Sequence, residues 1–216
     1  MKRLPAIGVI ELADIPRGIL ATDAMLKDSP VATLKTGVIS PARYLTVVGG
    51  TPAAVEHSLR EGRFTAADAL LDSLYLPDVH AELMAGIVGS RAEAESQPAL
   101  LVTVSPTCCA CLLAAERALK GTPVRLLELR LADPSLQGRG LTVLCGRLPD
   151  VEAAGEITRA VLDAREGPFS VQIISAPHES LQAALRDTTD FGSAPEIPVP
   201  DADAAVSRQV AFEEDL

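Results

Sequence analysis

The sequence has no tryptophan, and aromatic residues make up only 3% of its 216 positions. Its cores must therefore be filled by alanine, valine and leucine, which favours thin, closely packed layers over a roomy ligand cavity. Positive charge is also short. Nineteen Lys and Arg stand against 29 Asp and Glu, for a formal charge of -10. That balance lacks the basic footprint of a nucleic-acid binder and disfavours an anionic membrane surface. No stretch approaches the roughly 20 apolar residues of a membrane-spanning helix. Lys2 and Arg3 precede an apolar run that Pro5 interrupts and Glu11 and Asp14 stop, unlike a secretory signal. The chain is thus expected in the cytoplasm. There are four cysteines, Cys108, Cys109, Cys111 and Cys145, crowded into the second half in a pattern unlike a disulfide framework. No phosphate-cradling glycine loop, nucleophile elbow or metal-ligand spacing is found, and nothing points to an enzyme.

What the sequence does contain is a long internal repeat. Residues from Ala6, AIGVIELADIPRG, recur in degenerate form from Ala99. Ala6 matches Ala99, Asp23 Glu116, Lys27 Lys120 and Pro30 Pro123, all 93 apart; Thr46 then matches Thr142 and Gly50 Gly146, 96 apart. Three extra residues sit in the second copy's loop. VHAEL from Val79 matches PHESL from Pro177 at an offset of 98. A repeat of this length marks a duplicated domain. The expected boundaries are a first domain over 1–89, a polar linker over 90–98, a second domain over 99–190, and an acidic, Pro- and Ala-rich tail over 191–216 with few large apolar residues.

Within each copy the reading is strand, helix, strand, tight loop, strand, helix, strand, helix. Asp14 can cap a helix whose first turn holds Pro16, and Ile15, Ile19, Thr22 and Leu26 fall on one face of it. Val151, Ala154, Thr158 and Val161 mark the apolar face of a later helix. The expected architecture is α+β: each copy a mixed β-sheet with helices packed on it, ferredoxin-like and duplicated in tandem.

With the repeat in hand, the first copy resembles a bacterial microcompartment shell domain. The matching segments are AIGVIEL (Ala6 to Leu12), ATDAMLK (Ala21 to Lys27), TVVGGTPAAVEHSL (Thr46 to Leu59), and the proline-then-histidine pairs at Pro77 and His80 and at Pro177 and His178. Two non-permuted copies are similar to the tandem-domain shell proteins of that family. The resemblance implies a homotrimer forming a pseudohexagonal tile, with stacking of two trimers known among relatives. It also implies hexameric and pentameric shell proteins as partners and small metabolites passing a central pore. The loops between the second and third strands would line that pore: Ser40, Pro41, Ala42 and Arg43 in the first copy, and Asp133, Pro134, Ser135, Leu136, Gln137, Gly138 and Arg139 in the second. Lys27, Lys120, His80 and His178 would serve contacts at tile edges. Asp78 and Ala176 stand where the family usually has an arginine, and neither loop is the usual short glycine-rich one.

The second loop's glycines flank Arg139 and suit a gate that opens and closes. Arg43 and Arg139 would favour anionic metabolites and Asp133 would oppose them, leaving the net sign open. Cys108, Cys109 and Cys111 lie near a helix start and align with packing positions, so they read as small buried residues. No metal and no cofactor is expected. Two alternatives stand beside the shell reading: an electron-relay subunit with an iron–sulfur cluster, and a soluble ferredoxin-like regulator binding a small molecule.

Overall fold

The computed structural model describes residues 6–90 and 99–190, so all of the expected linker after residue 90 and the tail over 191–216 lie outside the described residues. The chain divides into a large unit ending at Pro177 and a small one starting at His178.

In the large unit the elements run β1 (Ala6–Leu12), α1 (Ile15–Asp28), β2 (Ala32–Ile39), β3 (Arg43–Gly50), α2 (Pro52–Ala66), β4 (Leu70–Pro77) and α3 (Ala81–Ile87). The order then repeats as β5 (Ala99–Ser105), α4 (Cys108–Gly121), β6 (Arg125–Arg130), β7 (Gly140–Gly146), α5 (Leu148–Asp163) and β8 (Ser170–Ile174). Two four-stranded sheets result, ordered β2-β3-β1-β4 and β6-β7-β5-β8. Each has helices packed on it, so the fold is the expected α+β tandem. Every strand pair is antiparallel rather than mixed. The α1 crossover does leave β1 and β2 running the same way, but β3 turns back and inserts between them. The small unit contains α6 (Glu179–Asp187), capped by the ring of His178, whose Nδ1 accepts from the Ser180 N–H at 3.2 Å.

Local chemistry explains the shared order. Asp14 accepts from the Arg17 N–H at 2.7 Å and its counterpart Thr107 from the Ala110 N–H at 2.9 Å, so both first helices are capped by a side-chain oxygen. Thr51 caps α2, with Pro52 in its first turn. Even the register irregularity is duplicated, between Thr33 and Lys35 in β2 and between Leu126 and Glu128 in β6. Near its end α2 packs closely on α1 at Gly62: a Cβ built there would fall 2.5 Å from the Met25 sulfur.

The apolar stripe of α1 differs from the expected one. The residues buried against its own sheet are Gly18, Ala21, Thr22 and Met25, while Ile19 and Leu26 are 54% and 41% exposed. The helix carries two apolar faces. The inner one uses small residues because the layers are thin; the outer one, with Leu20 added, points away from its own domain.

A compensated exchange shows how the copies have diverged inside. In the first copy a Cβ on Gly18 would collide with Tyr44 at 2.4 Å. In the second, the matching positions are Cys111 and Gly140, and a Cβ on Gly140 would sit 2.3 Å from the Cys111 Cβ. The glycine that makes room in each pair has changed sides, from the helix in the first copy to the strand in the second, and Cys111 fills less of the space than Tyr44 does. Gly140→Ala is therefore expected to destabilise by about 1–3 kcal/mol through overpacking. The double variant Gly140→Ala with Cys111→Gly should recover part of that loss, measured as urea unfolding midpoints.

Candidate functional site: the joint between the copies and the paired loops

Helix α4 of the second copy lies on the face of the first sheet opposite α1 and α2, and α3 of the first copy lies against β6. One apolar core runs through this joint, from Ile7, Val9 and Val47 of the first sheet to Leu112 and Leu119 of α4. The polar contacts of the joint are specific. The Glu11 carboxylate is completely buried on the first sheet. One of its oxygens accepts from Arg43 Nη1 at 2.9 Å and the other from the Cys108 N–H at 2.9 Å. It thus satisfies a free amide at the start of α4, where the helix dipole favours an anion. Asp72 accepts from Thr107 Oγ1 at 2.6 Å and from Arg165 at 2.8 Å, and Glu82 holds Arg125 together with the Leu126 N–H.

Two residues expected at tile edges are engaged here. Lys120 pairs with Glu116 at 2.8 Å and donates to the Asp78 carbonyl, and Glu116 also accepts from the backbone N–H of His80. The His80 ring caps α3, accepting from the Glu82 N–H at 3.3 Å. Lys27, by contrast, pairs within its own helix, with Asp23 at 2.6 Å, and its side chain is 75% exposed. Sequence reasoning missed Glu11, Asp72 and Glu82. The one available signal was Glu11 in the middle of an otherwise apolar strand run.

The two strand loops come together at one corner of the joint. The first is a tight turn, Ser40 to Ala42, with a cis Ser40–Pro41 bond and Ala42 at φ 52°. In the second, Asp133 caps a short 3₁₀ turn over Pro134–Leu136, accepting from both the N–H and the hydroxyl of Ser135, and is ion-paired with Arg130. Those hydrogen bonds, together with the Arg130 charge, hold its carboxyl below the usual range against a desolvation that pushes the other way. Gln137 and Gly138 follow in left-handed conformation, at φ 51° and 80°. Gly138 is buried against the first loop: a Cβ there would lie 2.8 Å from Arg43 Nη1 and 3.0 Å from the Ser40 carbonyl. Arg139 is exposed. Beside this corner a groove of about 470 Å³ runs between Lys35, Ile39 and Val47 of the first copy and Leu129, Arg130 and Asp133 of the second.

The cysteines are all free and buried. Burial, then the neighbouring Glu11 charge, pushes the Cys108 thiol up to about 12. Desolvation likewise lifts Cys145 to about 11 and Cys109 and Cys111 well above the ordinary value. Thiolate is the form that attacks and ligates, so these positions are packing residues in this chain. Among the described residues no group of three or more His, Cys, Asp or Glu side chains is placed to hold a metal ion. No helix among them is long and apolar enough to cross a membrane.

Duplication, antiparallel sheets and a helix-on-sheet joint that unites homologous loops define a tandem α+β protein of the shell-domain type. Residues 6–79 match the BMC domain family. The bacterial microcompartment shell protein PduT of Citrobacter freundii is 35% identical over 178 residues, which are 82% of this chain and 95% of that protein. A crystal structure of a microcompartment protein from Desulfitobacterium hafniense superposes with a TM-score of 0.73 at 29% identity, covering 84% of this chain and 99% of that one. A double-ringed trimeric shell protein from the RMM microcompartment, 15% identical over 76% of this chain and 85% of its own, shares the fold at a TM-score of 0.56. The chain belongs to the bacterial microcompartment shell proteins.

Two measurements follow from the site. Glu11→Ala leaves Arg43 and the Cys108 amide without their partner and is expected to cost about 3 kcal/mol in urea unfolding. Glu11→Gln tests its titration. Burial raises the Glu11 pKa above its unfolded value near 4.5, so the folded protein binds this proton more readily. Its stabilising contribution is complete below 4.5 and is lost as pH rises through the raised value. Wild type should therefore gain stability relative to Glu11→Gln as pH falls from neutral toward 4.5; a pH-independent difference would contradict the assignment. For the cysteines, native protein should resist a thiol-specific reagent such as DTNB at neutral pH, and all four should react once it is unfolded.

Proposed function

We propose that three chains close into a ring of six domains, a tile of the compartment shell, with the Ser40–Arg43 and Asp133–Arg139 loops around a central pore for small metabolites. The supporting observation is a matched pair of uncovered faces. Leu112 and Leu119 on α4 are 0% and 4% exposed because the first sheet covers them. Their counterparts Ile19 and Leu26 on α1, with neighbouring Leu20, are 54%, 41% and 51% exposed. Conversely, Val9 and Glu11 on the first sheet are fully buried under α4, while their counterparts Val102 and Val104 on the second are only partly covered. Each chain therefore offers the helix half of a joint at one end and the sheet half at the other, a heterologous contact that makes rings when the rotation closes. Ile19, Leu20 and Leu26 are already about half covered, so burying the remainder would contribute roughly 1 kcal/mol each.

Lys27 and Lys120, with side chains 75% and 39% exposed, are the residues we assign to contacts between tiles. The relative described as a double-ringed trimeric shell protein supports threefold closure and leaves stacking of two trimers open to the same measurement. In this reading, movement of the second loop has to break the seat of Gly138 on Ser40 and Arg43. Hexameric and pentameric shell proteins are the expected neighbours.

Native mass spectrometry with negative-stain imaging tests the proposal. Wild type should appear as three or six chains in disc-like particles. Ile19→Asp combined with Leu20→Asp should reduce the mass to one chain while the variant keeps a folded far-UV circular dichroism spectrum, because both side chains are about half exposed in the chain. A wild-type monomer would overturn the ring.

A further inference from the structure

The two loops carry three charged groups, Arg43, Asp133 and Arg139, and the structure pairs two of them. Asp133 is ion-paired with Arg130, and Arg43 with the buried Glu11. Arg139 remains. It stands 96 positions after Arg43, at the same place in the loop, immediately before β7 as Arg43 opens β3. Its guanidinium is exposed and makes no hydrogen bond or ion pair among the described residues. The cause is one exchange between the copies. Where the first strand of copy one has Glu11, the first strand of copy two has Val104, whose register with Leu141 is the same as that of Glu11 with Leu45. The loop arginine has been kept and its carboxylate anchor has been lost.

We infer that Arg139 is the specificity-determining residue of the pore: three copies form a ring of uncompensated positive charge that favours small anions, while Arg43 acts as a neutralised strut. The inference rests on the proposed trimeric pore and decides the sign that Arg43, Arg139 and Asp133 left open in the sequence. The strut has a positioning role of its own. Gly138 is seated on Arg43 and the Ser40 carbonyl, so the residue next to Arg139 is held by the arginine that Glu11 anchors. Anion preference from a charge ring in a narrow opening follows from focusing of its field, and it weakens as salt screens it.

Purified full-length trimer is seated over a solid-state nanopore narrower than the tile, and the reversal potential is read under a potassium chloride gradient. Wild type should prefer chloride over potassium at low salt. Arg139→Gln should lower that preference by roughly tenfold. Arg139→Lys should keep it. Val104→Glu should lower it with Arg139 still present, by restoring the anchor that Glu11 supplies in the first copy. If that half-buried substitution prevents folding, Arg139→Gln, on an exposed side chain, decides the matter alone. Conductance whose selectivity is unchanged by Arg139→Gln overturns the inference and leaves the pore intact. A correctly assembled trimer that conducts nothing overturns the pore itself.

Discussion

A carboxylate with no solvent exposure holds this molecule's organisation together. Glu11 is desolvated on an apolar sheet, an arrangement that is costly unless every acceptor position is used. It is tolerated because one oxygen meets Arg43 and the other meets the first amide of α4. One residue of the first copy therefore orients the second copy's helix and fixes the first copy's loop. Remove the carboxylate, and the helix start, the loop arginine and the seat of Gly138 lose their common reference.

Around that point the joint is built in layers. Leu112 and Leu119 supply apolar area, and Asp72, Glu82 and Glu116 supply direction by accepting hydrogen bonds across the copies. Apolar burial alone would permit the helix to slide; amides held by carboxylates do not. The same helix position on α1 is left uncovered, and this asymmetry links the fold to assembly. A chain that satisfied both ends of the joint by itself would have nothing to offer a neighbour.

Much of this was legible in sequence. The repeat located both sheets, and Asp14 with Pro16 signalled a helix start whose cap the structure contains. The stripe through Ile19 and Leu26 was periodic and apolar, yet periodicity cannot tell which of two apolar faces meets its own sheet. Glycine at 18 decides it, because only there can Tyr44 approach. The pairing of Arg43 with Glu11 was not readable, since it joins residues 32 apart through a sheet register. The left-over charge on Arg139 was hidden for the same reason: Val104 looks like any strand valine until its counterpart is known to be a buried acid.

The exchange of Glu11 for Val104 also has a mechanical meaning. In the proposed ring of three chains, joints within a chain would be pinned by a buried carboxylate, and joints between chains would have Val104 in its place. The six seams then alternate between two kinds of adhesive. The pinned kind resists shear and responds to acid, whereas the greasy kind weakens on cooling and barely responds to salt. Such a tile would flex, and finally come apart, along every second seam.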